Sequence, residues 1–273
     1  MIRDITIGQY YPADSILHRL DPRVKFVGTM VYIVSLFVFS SWVGYVVAAL
    51  SLIAMIIISK VPFKFMVKGL KPVMMLLLIT MFFNLIFTPG EVIWSFWIIK
   101  ITKEGIRMSL KMGVRLVFLI IGASLMTLTT TPNQLTDGLE RLMRPLNKIH
   151  VPVHEIAMMM SIALRFIPIL LEETDKIMKA QIARGADLES GNLIQKAKAM
   201  IPILVPLFVS SFRRANDLAM AMEARCYRGG EGRTKMKPLV YQKTDYIAYA
   251  IMICYIVVVF VAGRYIPFKI WIF

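Results

Sequence analysis

Five long apolar runs constrain this chain more than any other feature. They cover roughly Val24–Trp42, Val43–Ser59, Pro72–Thr88, a fourth stretch ending near Thr130, and Tyr246–Gly263 near the C-terminus. Each holds about the 17–20 residues that a helix needs to cross the hydrocarbon of a bilayer. Composition agrees: 58% of the 273 residues are hydrophobic and only 18% charged. Soluble domains carry about 45–50% apolar and about 25% charged residues, so this excess has to be buried in lipid. The fold class that follows is all-α, a polytopic integral membrane protein with about five transmembrane helices. Between the fourth and fifth runs the composition shifts, and residues 131–243 hold more than half of the basic residues. The expected organisation is a four-span membrane domain over 1–130, a cytoplasmic or interfacial helical domain over 131–243, and a C-terminal transmembrane helix over 244–273.

The charge balance is lopsided, 32 Lys+Arg against 17 Asp+Glu. In a membrane chain this is read first as topology, ahead of nucleic-acid binding, which is not expected. Arg3, Arg19 and Arg23 precede the first run, uncharged Ser40, Ser41 and Trp42 follow it, and Lys60, Lys64, Lys68 and Lys71 follow the second with no acid among them. The positive-inside rule then puts the N-terminus and the 60–71 loop in the cytoplasm. Trp94 and Trp97 beside Pro89-Gly90 suit the outer interface; counting onward, 131–243 is cytoplasmic and the C-terminal tail outside. One feature resists this scheme. Arg107, Lys111 and Arg115 are four residues apart on the outer half of the fourth helix, where a cationic face must turn into protein or snorkel to an interface. An interfacial extension of the helix is the plain reading.

Two apolar runs in the middle region, Ile156–Leu171 (interrupted by Arg165) and Ile201–Phe212, are short for a span and read as interfacial or core helices. Pro168, Pro202 and Pro206 are expected to kink or begin helices, because proline removes a backbone donor. Before them Thr131-Pro132 offers an N-cap with proline at the first helical position, and Leu135, Leu139, Leu142 and Leu146 form an apolar stripe.

The informative motif occurs twice. One copy is Ala180-Gln181-Ile182-Ala183-Arg184-Gly185, the other Ala221-Met222-Glu223-Ala224-Arg225-Cys226. Each follows a proline-marked apolar run, and Asp175 and Asp217 precede the two arginines at similar distances. Alanines three apart keep one helix face small enough for another backbone to approach. The arginine then projects from the last turn, where a cation suits the helix dipole and its planar fork can donate several hydrogen bonds. A small residue after it avoids a clash at a docking surface. Alanine is a common helix former and arginine a common last-turn residue, so one copy would be unremarked; two copies in one region read as two plugs for two similar grooves. If both short apolar runs spanned the membrane, the arginines would lie on opposite sides, so five spans and two cytoplasmic arginines are expected.

These two elements, together with Leu17-His18-Arg19-Leu20-Asp21-Pro22-Arg23-Val24-Lys25 and the Thr129-Thr130-Thr131-Pro132 helix start, resemble the transmembrane T component of energy-coupling-factor (ECF) vitamin transporters, across essentially the whole chain. The resemblance implies a bacterial or archaeal cell-membrane protein that joins two cytoplasmic ABC-type ATPases, identical or not, to a small membrane-embedded S component holding the vitamin or other micronutrient. Long coupling helices would end in the two motifs, seated in grooves of the ATPases. By that resemblance Arg184 and Arg225 are the ATPase-contacting residues, supported by Ala180, Ala183 and Gly185 and by Ala221, Ala224 and Cys226. Cys226 departs from the glycine of the first copy and implies a slightly different fit, as two non-identical ATPases would allow.

The remaining constellations are weaker. No Gly-x4-Gly-Lys-Ser/Thr pattern is present, so ATP hydrolysis would belong to partners and no enzyme activity or cofactor is expected of this chain. Cys226 and Cys254 build no disulfide framework or zinc site, and the first residues lack a cleavable-leader pattern. His150, His154 and Glu155 read as a helix start rather than a metal site, since Val151-Pro152-Val153 breaks any helical spacing. Glu172-Glu173, followed by Lys176 and Lys179, read as a solvated face. Methionine is frequent, 20 residues, and the Met158–Leu171 segment reads either as filler or as a surface that repacks against interchangeable S components. Other functions compatible with a membrane chain are a substrate-binding permease subunit of a conventional ABC transporter, a membrane enzyme, and a passive channel or carrier.

Overall fold

A computed structural model of the chain describes residues 10–38, 42–96, 99–186, 192–230, 236 and 238–265. The elements in order are α1 (Ile16–Arg19), α2 (Pro22–Val38), α3 (Trp42–Ser59), α4 (Phe63–Leu70), α5 (Met74–Phe87), the strands β1 (Val92–Phe96) and β2 (Ile99–Thr102), then α6 (Lys103–Thr129), α7 (Pro132–Met143), α8 (Val153–Ala183), α9 (Leu193–Ala224) and α10 (Lys243–Tyr265). Short 3-10 turns over Lys71–Val73 and Arg144–Ile149 join α4 to α5 and α7 to α8. Among the described residues six helical stretches are long and apolar enough to cross a membrane: Trp42–Ser59, Phe63–Phe87, Lys103–Thr129, Val153–Ala183, Ile194–Ala224 and Lys243–Val261. Many of their side chains are exposed on the protein itself, Ile57 and Phe87 by 70% and 72%, which in water would be untenable and in lipid is the solvated state. The protein is therefore an all-α polytopic membrane protein.

Several sequence expectations are revised here. The 60–71 loop is helical: α4 drives Met66 and Leu70 into the core and runs through a 3-10 turn into α5. The two short middle runs are parts of α8 and α9, single helices of 31 and 32 residues. Pro168, Pro202 and Pro206 lie inside them and begin neither. A lost backbone bond costs a long helix one link among many, whereas in a short segment it decides the boundary. Segment 92–102, read only for its tryptophans, is an antiparallel hairpin in which Val92 faces Thr102 and Phe96 faces Ile99. Trp97 lies outside the described residues, as does the side chain of Trp94.

The described residues divide into two compact units, 10–138 with 239–265, and 139–238. In the first, α6 packs against α2, α3, α4 and α5. The core between them is built from Tyr32 and Leu36 (α2), Ala48 and Leu52 (α3), Met66 and Leu70 (α4), Ile121, Leu125 and Leu128 (α6) and Val259 (α10). α7 starts as its sequence demands: Thr131 Oγ1 accepts from the Gln134 backbone N–H and Gln134 Oε1 accepts from the Thr131 N–H, a reciprocal cap. Its fully buried positions are nevertheless Thr136 and Gly138 rather than the leucine stripe, of which Leu146 is exposed. A side chain at Gly138 would press on Pro22 at 3.2 Å, so close helix approach sets this face.

The residues Asp21-Pro22-Arg23-Val24-Lys25 form a buried polar node in this unit. The Asp21 carboxylate accepts from Arg23 Nε and a second guanidinium nitrogen at 3.0 and 2.7 Å, and the guanidinium carbon lies 3.8 Å from the Tyr241 ring centre. Asp245, 1% exposed, accepts from the backbone N–H groups of Asp21 and Gln242 at 2.9 and 2.7 Å. Lys25 Nζ donates to the carbonyls of His18 and Thr129 at 3.0 and 2.9 Å, satisfying the last turn of α6. Segments around residues 18–25, 129 and 241–245 are pinned together by four charged side chains, each with hydrogen-bond partners, as burial of charge requires.

Candidate functional site

The second unit consists of the end of α7, the 3-10 turn, and α8 packed on α9. The direction of that packing follows from its polar contacts. Gln181 Nε2, late in α8, donates to the carbonyl of Pro202, early in α9, at 3.4 Å. Glu173, eight residues earlier, accepts from Ser210 Oγ and from the Arg214 guanidinium at 2.7 Å, further along α9. The two helices are thus antiparallel. Glu173 corrects the expectation of a wholly solvated Glu172-Glu173 face: only sequence-distant Arg214 and Ser210 could have revealed its role, and no local spacing carries that information.

Both copies of the Ala-x-x-Ala-Arg element end their helices, and they do so with one backbone geometry. Arg184 is the C-cap of α8, and Gly185 follows in the left-handed region at φ +85. The Gly185 N–H donates to the Ile182 carbonyl at 2.9 Å and the Ala186 N–H to the Gln181 carbonyl at 3.0 Å. Arg225 is the C-cap of α9, and Cys226 follows at φ +55. There the Cys226 N–H donates to the Glu223 carbonyl at 2.8 Å and the Tyr227 N–H to the Met222 carbonyl at 3.0 Å. This pair of bonds closing on a left-handed residue is the Schellman cap. The structure thereby gives the small residue of the motif a second reason besides steric clearance: it occupies the position where an ordinary side chain is disfavoured. Cys226 adopts that conformation despite its Cβ.

The caps fix where the arginines point from. Ala180, Ala183, Ala221 and Ala224 are all exposed, as are Arg184, Gly185, Arg225 and Cys226. Among the described residues neither guanidinium takes a hydrogen bond or an ion pair. Each is left with its full donor fork, on a helix end whose carbonyl dipoles favour a cation. Arg184 and Arg225 each lie eleven residues beyond the Glu173–Arg214 contact, about 16 Å along the helix. Because α8 and α9 are antiparallel, those displacements run in opposite directions. The unit therefore carries two like-built cationic tips at its two ends.

The other sequence candidates are placed elsewhere. His150 ends the 3-10 turn in a left-handed conformation, and His154 Nδ1 lies 3.2 Å from Glu140 Oε1 in the first turn of α8, so the pair serves the helix start. Met159 and Met160 are exposed on α8, 58% and 40%. Cys226 and Cys254 are free thiols.

Comparison with known proteins agrees with this architecture. The family described as "CbiQ: Cobalt transport protein" matches residues 13–236. The "Energy-coupling factor transporter transmembrane protein EcfT" of Clostridium kluyveri is 60% identical over 252 residues, covering 91% of this chain and 93% of its own length. Proteins of the same description from Ruminiclostridium cellulolyticum and Heliobacterium modesticaldum are 52% and 48% identical, covering 93% and 99% of this chain and 96% and 98% of theirs. This predominantly helical membrane chain, matched over nearly its whole length by proteins so described, belongs to the CbiQ family of transmembrane components of energy-coupling factor transporters.

Proposed function

We propose that this chain is the coupling subunit of an ECF-type importer for vitamins or other micronutrients, with Arg184 and Arg225 each seated in a groove of one cytoplasmic ABC-type ATPase. The observation that carries the reading is the pair of identically capped helix ends, each with an alanine face and a guanidinium unpartnered among the described residues, at opposite ends of one antiparallel helix pair. Two equivalent tips facing apart fit two ATPases better than one. ATP hydrolysis is the partners' work; this chain is a non-catalytic transmission element in the cell membrane with its N-terminus in the cytoplasm.

Geometry also constrains how the pair lies. Were α8 and α9 to cross the bilayer antiparallel, their C-terminal arginines would emerge on opposite sides and only one could meet a cytoplasmic partner. The reading therefore has the pair lying along the cytoplasmic face of the membrane, charged flanks to water and apolar flanks to lipid or to a membrane partner. Exposed Met159 and Met160 on α8 and Phe208 and Phe212 on α9 would supply the soft apolar platform that meets the S component. When ATP draws the ATPases together, displacement of the two grooves is transmitted through rigid helices to this platform, tilting or releasing the S component toward the cytoplasm. The energy comes from contacts that differ between the two nucleotide states.

Affinity purification of the tagged chain from its native membrane tests the proposal. Wild type should bring two P-loop ATPases and a small apolar protein, and the Arg184→Ala/Arg225→Ala double variant should lose the ATPases. Each arginine, if buried and paired in its groove, should contribute about 2–5 kcal/mol to docking, with single variants partly compensated by the second attachment. Retention of both ATPases by the double variant would refute the assignment.

A further inference from the structure

α6 has two unlike faces. Gly105, Ser109 and Gly113, four residues apart, lie against α5: Ser109 Oγ donates to the Met81 carbonyl at 2.9 Å, and a Cβ at Gly105 would come within 2.9 Å of the Leu85 carbonyl. Two residues on, and so about 200° around the helix, runs the stripe Arg107, Lys111 and Arg115. It meets the ends of α2 and α3. Arg115 Nε donates to the hydroxyl of buried Tyr45 at 3.0 Å, and its guanidinium carbon lies 5.4 Å from the ring centre of Phe37. Lys111 Nζ lies 5.9 Å from the ring centre of Trp42. Arg107 is exposed and makes no bond among the described residues. The nearest acid along the helix, Glu104, turns away and accepts the Glu91 backbone N–H at 2.8 Å.

We infer that the Arg107/Lys111/Arg115 stripe, rimmed by Trp42 and Tyr45, binds the phosphate of an anionic phospholipid. A helix of 27 residues is about 40 Å long, more than the roughly 30 Å of hydrocarbon, so Arg107 lies near one interface and Arg115 about 12 Å deeper. Arg107, exposed and without a described partner, needs a counter-charge at the interface, and a headgroup tethered to acyl chains supplies one that also reaches toward the deeper stripe. Phe37 and Met108, 60% and 48% exposed beside the stripe, supply the apolar surface those chains would cover. Guanidinium forks on either side of a lysine suit a phosphodiester, and Trp and Tyr prefer the headgroup level. A free phosphate would leave that apolar rim uncovered. The inference is independent of the ATPase docking proposed above.

The test uses the full chain in phosphatidylcholine nanodiscs doped with spin-labelled phosphatidylglycerol or spin-labelled phosphatidylcholine, reading the motionally restricted fraction. Wild type should restrict the phosphatidylglycerol label preferentially, and Arg107→Gln/Lys111→Gln/Arg115→Gln should lower that preference at least about tenfold. Should the triple variant fail to fold, Arg107→Gln alone, which breaks no described contact, should lower it about fivefold. Equal restriction of the two labels by wild type overturns the inference, as does a preference unchanged in Arg107→Gln. Displacement of the label by millimolar inorganic phosphate would assign the stripe to free phosphate instead.

Discussion

Replacing Gly185 by alanine isolates the backbone reason for the small residue after each arginine. Gly185 sits at φ +85, and a Cβ built there meets nothing within 4 Å, so the substitution costs no packing clash. What remains is the left-handed conformation, which costs an L-residue about 1–2 kcal/mol. That cost falls on the cap, whose three amides (Arg184, Gly185 and Ala186) donate to the carbonyls of residues 180–182. Amide hydrogen exchange reads such local opening directly. Alanine's lower unfolded-state freedom offsets about 0.5–1 kcal/mol of this, so relative to intrinsic rates Gly185→Ala should accelerate exchange at residues 184–186 by about 2- to 13-fold while leaving the end of α9 unchanged. The reverse change, Cys226→Gly, removes the same penalty at φ +55 but adds the extra unfolded-state freedom of glycine, about 0.5–1 kcal/mol, so it should slow exchange at residues 225–227 only a few-fold. Unchanged exchange at 184–186 in Gly185→Ala would refute the left-handed cap as the reason for the motif's last residue.

Three further outcomes are expected. Asp245→Ala strips the buried Asp21 N–H and the half-buried Gln242 N–H of their acceptor and should lower the stability of the detergent-solubilised chain by about 2–3 kcal/mol in thermal unfolding; a loss below half that would mean the node is not a clamp. Burial opposes ionisation of Asp21, yet hydrogen bonds from the Arg23 side chain and backbone outweigh it and hold its pKa below the ordinary carboxylate value. Its contribution is thus present above that value and lost as pH falls through the lower folded one, so Asp21→Asn should flatten the acid limb of a stability–pH curve below about pH 4. With Cys254→Ala as background, a membrane-impermeant maleimide should label native Cys226 and Ile182→Cys from the cytoplasmic side of sealed vesicles alike. Labelling from opposite sides would mean that α8 and α9 cross the bilayer.

Much of the membrane fold was legible because a spanning helix writes its length and apolarity into contiguous sequence. The α6 span ending at Thr129, the capped start of α7 at Thr131, and the C-terminal helix all follow from local signals. From sequence α8 and α9 look like fragments because proline is a local signal too, while the many bonds that carry a long helix past it are not. The hairpin was available in principle from the β-branched and aromatic alternation of Val92–Phe96 and Ile99–Thr102. Of the site, the two arginines and their alanines could be picked out as a repeat, but not the antiparallel packing that sets them at opposite ends. That depends on Glu173 meeting Arg214 across 41 residues, a contact no periodicity encodes. The roles of Arg23, Lys25 and Asp245 were equally hidden, since Tyr241 beside Arg23, Thr129 beside Lys25 and the Asp21 N–H beside Asp245 each lie more than a hundred residues from the residue they meet.

The central claim is that the two helix ends dock separate ATPases. A photo-crosslinking residue placed at Ile182 or at Glu223, each exposed and two residues before its arginine, tests it inside the assembled complex. Irradiation should give an adduct with a P-loop ATPase from either position, and none from Ile57, exposed on the spanning helix α3. Adducts from neither helix end in a complex that retains its ATPases would contradict the account.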